Sequence, residues 1–281
     1  MYKIIAGLLL MLNQSSAAYL ESDHKIKSLE HLRYLDDLLA SGSEQFSDGQ
    51  FALLLNEIVQ RHNVHPSKIV IIDLREETHF FADGIPFTAT DRHEDPSKDY
   101  TFPNESKIQK NLIAEKIIKL EPRKLDVEKH ERWKKLKGSL KNTMHKKHRN
   151  APNKPVQLND PIIKTEAEIC KNYGVQYWRM PITDHYPPEQ AAIQEFIKFV
   201  STLPQDTWIH IHCRNGNGRT TTFLAILEMM RFKNHSLYDV LTRQKQIGGK
   251  DLLKMSEEIE NQQVVRNRLN VVKSTYDNIH S

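Results

Sequence analysis

One stretch, residues 207–230, constrains this chain more than any other. Thr207-Trp208-Ile209-His210-Ile211-His212 is a short apolar run with the character of a buried strand. It passes without a break into Cys213-Arg214-Asn215-Gly216-Asn217-Gly218-Arg219-Thr220, and residues 219–230 then read as a strongly apolar helix. Strand, glycine-rich turn and helix in that order place the turn at a helix N-terminus. Several backbone N–H groups converge there and the helix dipole adds positive potential, so the turn is a cradle for an anion. Gly216 and Gly218 permit backbone angles and close approach that side chains would block, and Arg219 offers a planar two-pronged donor to phosphate oxygens. Cys213 lies on the floor of this ring, where the amides and the guanidinium favour a thiolate, the reactive form of a cysteine nucleophile.

Cys-x5-Arg alone says little, since an arginine falls six residues after any cysteine roughly one time in twenty by composition. The added features make the string specific: His212 before the cysteine, two glycines, Thr220-Thr221 after the arginine, and a strand upstream. A dinucleotide fingerprint lacks its third glycine and a nucleotide-triphosphate loop lacks its lysine. The Thr220 hydroxyl stands where it can bond the sulfur and help it depart. Cleaving a phosphate ester also needs an acid for the leaving oxygen and then a base for water. The candidate is Asp184, in Pro181-Ile182-Thr183-Asp184-His185-Tyr186-Pro187-Pro188, with Asp73, Asp91 and Asp95 as rivals. His210 and His212 invite a metal reading, but histidines two apart in a buried strand more often bond to backbone, and neither metal nor cofactor is expected.

Around this centre the chain reads as α/β. Residues 26–39 alternate at helical spacing and Ser41-Gly42-Ser43 interrupts them. Residues 51–60 read as a helix, and Ile69-Val70-Ile71-Ile72 as a fully buried strand with Asp73-Leu74-Arg75 at its carboxyl end, where α/β folds place their sites. A helix over 165–173, a strand over 175–180 and a helix with Ile193, Phe196, Ile197 and Val200 on one face lead back to the cysteine loop. Two helices, over 236–246 and 252–272, finish the chain.

With 38% hydrophobic residues in 281, the chain can build one substantial core. Two cysteines, Cys170 and Cys213, give no disulfide framework. Met1-Tyr2-Lys3, an apolar run over 4–12 and a small-residue stretch to Ala18 form the three-part pattern of an export signal, too short to span a bilayer. The organisation expected is a signal over 1–18, a first core segment over 19–90, an insertion over 91–160, and the rest of the core over 161–281. The net charge of +4 is mild, but over 107–154 basic residues outnumber acidic ones roughly threefold. Trp133 is the lone aromatic in that stretch, which argues against a nucleic-acid partner.

The loop His212-Cys213-x5-Arg219-Thr220 is similar to the protein tyrosine phosphatase signature. Together with Asp73-Leu74-Arg75-Glu76-Glu77-Thr78-His79, the nearby Gly84-Ile85-Pro86, and Thr183-Asp184-His185, it resembles the bacterial tyrosine-phosphatase-like inositol phosphatases, the cysteine phytases. The resemblance implies a central mixed sheet flanked by helices with a smaller basic insertion, and myo-inositol hexakisphosphate as substrate. It implies Asp184 as general acid, with His185 and Arg75 contacting substrate and phosphate. Phosphate binding would fall to Arg214, Asn215, Gly216, Asn217 and Gly218 of the loop, and Lys250 would reach a distal phosphate. Arg214 and Asn217 depart from commoner members, the first favouring polyanions and the second leaving selectivity open. A phosphotyrosine or phosphoinositide phosphatase, a non-catalytic phosphate-binding module and a rhodanese remain alternatives. Oligomeric state is not legible in the sequence.

Overall fold

The structure, a computed structural model, describes residues 18–22, 29–91, 117–119, 157–159, 161–257 and 259–281. The segment expected as an export signal lies outside them except for Ala18, and so does most of the expected basic insertion. Two short strands from the latter, β7 (Ile117–Lys119) and β8 (Gln157–Asn159), pair antiparallel.

The core is a five-stranded mixed sheet. Its strands are β2 (Arg33–Leu35), β3 (Ala40–Ser43), β4 (Ile69–Arg75), β10 (Gln176–Ile182) and β11 (Trp208–His212), in the order β10-β4-β11-β3-β2. The first four of that order run parallel and β2 closes the edge antiparallel. Parallel strands are covered on both faces, which is why β4 is a continuous apolar run. Ile69 and Ile71 point to one face, where α1 (Asp48–His62) and α2 (Glu166–Asn172) cover them with Phe51, Leu54, Ile58 and Ile169. Val70, Ile72 and Leu74 point to the other, against Ile193 and Phe196 of α3 (Gln190–Thr202) and Phe223 and Leu224 of α4 (Gly218–Arg231). Each isoleucine buried this way contributes about 2–3 kcal/mol. Helix α4 is buried nearly all round because it is also covered outside, by α5 (Leu237–Gln246) and α6 (Ile259–His280).

A second sheet, antiparallel in the order β1-β6-β5-β9, comprises β1 (Ala18–Ser22), β5 (His79–Ala82), β6 (Ile85–Asp91) and β9 (Ile163–Lys164). Among the described residues no helix is long and apolar enough to cross a membrane.

Two readings need correction. Residues 26–39 do not form a helix where they are described: they carry β2 and a single 3-10 turn, and Ser41-Gly42-Ser43, read as an interruption, is the buried heart of β3. Small residues are required there because α4 presses on the strand. A Cβ at Gly42 would lie 2.7 Å from Leu224 Cδ1 and 2.8 Å from Thr220 Cγ2. The last helix runs later than 252–272 at both ends, and its late start follows from Asp251 Oδ1, which accepts from the Leu253 and Lys254 amides and holds the chain in a turn.

Candidate active site

The four parallel strands end on one side, and the cysteine loop, Asp73 and the loop that carries Asp184 all lie at or just past their carboxyl ends. His212 is level with Asp73 on β4 and with Ser43 on β3, while Ile182 of β10 is level with Arg75. Cys213 follows β11, buried to 2% exposure, and the helix α4 begins at Gly218 with Asn217 as its cap. The loop therefore sits at a helix start. Gly216 takes φ +64°, and a Cβ there would fall 2.3 Å from the Glu44 nitrogen, so glycine is needed on both counts. Two bonds hold its neighbours: Gln45 N donates to Arg214 O at 3.2 Å, and Arg33 Nη1 donates to Gly216 O at 2.9 Å. These bonds turn the Arg214 and Gly216 carbonyls toward Gln45 and Arg33. Thr220 Oγ1 donates to Cys213 Sγ at 3.2 Å.

Arg219 is buried and locked. Its Nη1 donates to Glu77 Oε2 at 2.7 Å and Ile182 O at 3.0 Å, and its Nη2 to Glu77 Oε1 at 3.1 Å. Nη2 also faces Asp184 Oδ1 at 3.1 Å. Burial works against its charge, but Glu77 and then Asp184 hold the guanidinium firmly protonated. Its Nε is buried without a partner, a donor left open beside the loop. Burial pushes the Asp184 carboxyl up, yet Arg219 outweighs that and keeps it below the ordinary carboxylate range. Asp184 Oδ1 also accepts from His185 N at 2.9 Å, with His185 in the left-handed region at φ +64° and its side chain largely exposed.

Beneath the loop lies a bed of buried charge. His212 Nε2 donates to Glu166 Oε1 at 2.6 Å, and Gln45 Nε2 to Glu166 Oε2 at 2.8 Å. His79 Nε2 stands 3.1 Å from Asp73 Oδ2 and 3.4 Å from Glu166 Oε2, and Tyr177 Oη donates to Asp73 Oδ2 at 2.8 Å. Burial favours neutral His79, but Asp73 outweighs it and raises the imidazole to about 9. Asp73, His79 and Glu166 are near enough together to hold a metal ion. Their atoms also bond other protein groups: Asp73 accepts from Arg75 N and Tyr177, and Glu166 from His212 and Gln45.

Arg75 lies at full burial behind this wall. It donates from Nε to Glu77 Oε1 at 2.9 Å, from Nη1 to Gln45 Oε1 at 2.6 Å, and to Thr88 Oγ1. Through these bonds Arg75 braces Glu77, which in turn holds Arg219. His210 and His212 also differ from expectation, bonding side chains and not backbone: His210 lies 2.9 Å and 3.1 Å from the Ser41 and Ser43 hydroxyls. Arg214 is buried and Asn215 half-buried in the loop, and Asn217 O accepts from Thr221 N at 2.9 Å. Lys250 is half-buried, its N donating to Thr221 Oγ1 at 2.9 Å, and burial and then Arg268 lower its ammonium. Sequence reading gave no role to Glu77, Glu166, Gln45, Arg33 or Arg268. Glu77 stood inside a motif string, but a strand-end carboxylate carries no mark of its partner, and Arg33 and Arg268 are isolated cations in polar stretches.

The family model of the PTP-like phytases, described by the words inositol hexakisphosphate, matches residues 72–231, more than half of the 281. Among curated proteins, an effector protein, hopD2, of Pseudomonas syringae pv. tomato is 24% identical over 211 residues, covering 74% of this chain and 41% of its own. A PTP-like myo-inositol phosphatase from Mitsuokella multacida, solved with myo-inositol-(1,3,4,5)-tetrakisphosphate, superposes with a TM-score of 0.74 at 23% identity over 95% of this chain and 46% of its own. A PTP-like phytase from Bdellovibrio bacteriovorus gives 0.65 at 23% identity, over 95% and 91%. The chain thus spans under half the length of the effector and of the Mitsuokella protein. The shared fold and the matched segment, which runs from β4 through the cysteine loop to the end of α4, carry one conclusion: this chain belongs to the PTP-like phytase family.

Proposed function

We propose that the chain is a cysteine-dependent phosphomonoesterase acting on myo-inositol polyphosphates. The observation that carries this is the pairing of a buried Cys213 sulfur at the start of α4 with a buried Arg219 that keeps one unpartnered donor. The thiolate attacks phosphorus in line, the P–S bond forms and the P–O bond to the ring breaks as Asp184 gives its proton to the leaving oxygen. Asp184, now a carboxylate, then takes a proton from water, whose oxygen attacks phosphorus. The P–S bond breaks, inorganic phosphate leaves, and Thr220 stabilises the departing thiolate through its 3.2 Å hydrogen bond. Loop amides and Arg219 carry the phosphoryl charge throughout.

The substrate class rests on family membership and on positive charge: Lys250 at the rim, and the basic stretch over 107–154, most of which lies outside the described residues. The effector relative and the signal-like segment ahead of Ala18 together favour export, which N-terminal sequencing of the secreted protein tests. The functional test is release of phosphate from myo-inositol hexakisphosphate, a phosphotyrosine peptide and phosphoinositide vesicles in parallel. The hexakisphosphate should give the highest kcat/KM, and Cys213→Ser should lower it by at least about 10⁴-fold. Preference for the peptide would overturn the substrate, and full turnover by Cys213→Ser the mechanism.

A further inference from the structure

We propose that Arg268, on α6, is a positioning residue that holds the acid loop over the phosphate cradle, a reading that rests on Asp184 as the general acid. The Arg268 side chain is buried, 6% of the residue remaining exposed, and no carboxylate among the described residues is within bonding distance of it. Its Nη2 instead donates to two carbonyls, His185 O at 3.0 Å and Tyr186 O at 2.8 Å, which belong to the two residues that follow Asp184. On the other side, Nη1 lies against the first residue of α4, so close that a Cβ at Gly218 would fall 2.5 Å from it. Nε is buried with no partner. One guanidinium therefore spans the gap between the cysteine loop and the acid loop.

Burying an arginine is costly, and an apolar side chain at this place on α6 would pack more cheaply. Packing alone therefore does not explain the residue. The charges that favour it are those of the site, Asp184 and then Cys213, while Arg219 opposes it and burial lowers its guanidinium overall. The carbonyl it grips belongs to the one residue of the loop in a strained conformation. His185 stands at φ +64°, a left-handed geometry that costs a side-chain-bearing residue on the order of 1 kcal/mol. That turn sends the His185 amide back to Asp184 Oδ1 at 2.9 Å. Arg268 holds the carbonyl, the carbonyl fixes the turn, and the turn aims the carboxyl. The Asp184–Arg219 pair also restrains that carboxyl, and phosphate arriving at Arg219 competes for it. Arg268 is the restraint that stays when phosphate is bound.

A misaimed acid harms only those esters whose leaving oxygen needs a proton. In Arg268→Ala, kcat/KM for myo-inositol hexakisphosphate should fall about 10²-fold, and for 2,4-dinitrophenyl phosphate, whose phenolate leaves unprotonated, several-fold at most. Asp184→Asn should show the same split, and the double variant should be no worse than Asp184→Asn alone. Arg268→Lys, which keeps a cation able to reach both carbonyls, should recover most of the loss on the hexakisphosphate and keeps the question open to test if the alanine variant does not fold. Equal losses on both esters in the Arg268 variants, with Asp184→Asn still split, would overturn the positioning role alone. No split in Asp184→Asn would overturn the acid assignment and this proposal with it.

Discussion

The floor and the rim of the cradle are built on opposite lines. Below and behind the loop, Glu77, Asp73, His79, Glu166 and His212 are all buried, and each side chain meets an oppositely charged or hydrogen-bonding partner. At the rim, Asp184 is tied to Arg219 and to its own neighbour's amide, His185 is largely exposed, and Lys250 is half-buried. The contrast teaches that the cradle proposed for phosphate is fixed in advance, while Asp184, the proposed proton donor, is left able to change state. In the free protein Arg219 keeps Asp184 ionised against the effect of burial. A phosphate dianion entering the loop draws on the same guanidinium and adds negative charge beside the carboxylate. Both changes raise the affinity of Asp184 for a proton at the moment an acid is needed.

The sharpest way to break that comparison is to remove the floor's link to Arg219. Glu77→Gln leaves Arg219 and Arg75, both buried, sharing one neutral amide in place of a carboxylate. Breaking a buried pair from one side costs about 3–5 kcal/mol, and the amide's remaining hydrogen bonds place this change at the lower end. Loss of a fixed guanidinium should also cut kcat/KM about 10²-fold. Urea unfolding and phosphate release measure both. A variant as stable as the parent would mean that the floor does not hold Arg219 in place.

How much of this was legible in the sequence follows the same division. The strand, glycine loop and apolar helix at 207–230 were readable because their signals are local: an apolar run, two glycines, helical spacing. Asp184 was readable from its motif, and the structure brings it to Arg219. The floor was not, because its pairs join residues far apart in the chain, such as Glu77 with Arg219 or Glu166 with His212. Of the partners of Arg75, Glu77 stands in the same motif, but Gln45 and Thr88 are brought to it only by the fold. Strand β3 was misread because a serine-glycine-serine run has no strand propensity, and only the approach of α4 requires small residues there.

The floor's charge state gives a second test, somewhat smaller. His79 is raised from its ordinary 6.5 to about 9, Asp73 outweighing the effect of burial, so between those values the folded protein holds a proton that the unfolded chain releases. That contribution to stability is complete below about 6.5 and fades as pH rises through about 9, by on the order of 3 kcal/mol. Asp73 and Glu166, both depressed by their histidine partners in spite of burial, act oppositely: their contribution is present above the ordinary carboxylate range and fades in acid. Urea midpoints should therefore be highest between about pH 5 and 6.5 and fall toward pH 9.5. His79→Gln should flatten the alkaline decline, and an unchanged decline in that variant would assign it to another group.

The rim supplies the smallest effect and the one that bears on substrate size. Lys250 is held by its backbone bond to Thr221 Oγ1, the hydroxyl that also receives Arg33 Nη2, so its chain position is tied to the loop although its ammonium is not. The ammonium lies in the field of Arg268, which weakens its hold on a proton, and of Asp184, which strengthens it. A phosphate next to the one being cleaved would meet Lys250 at this edge and give the ammonium the anionic partner it lacks among the described residues. One such half-exposed contact is worth about 1.4 kcal/mol, a factor of about ten. Lys250→Ala should thus raise KM for myo-inositol hexakisphosphate about tenfold, KM for para-nitrophenyl phosphate by clearly less, and leave kcat on the two esters in nearly the parent ratio. An equal rise in both KM values would place Lys250 on the scissile phosphate itself, and so on the floor's side of the comparison.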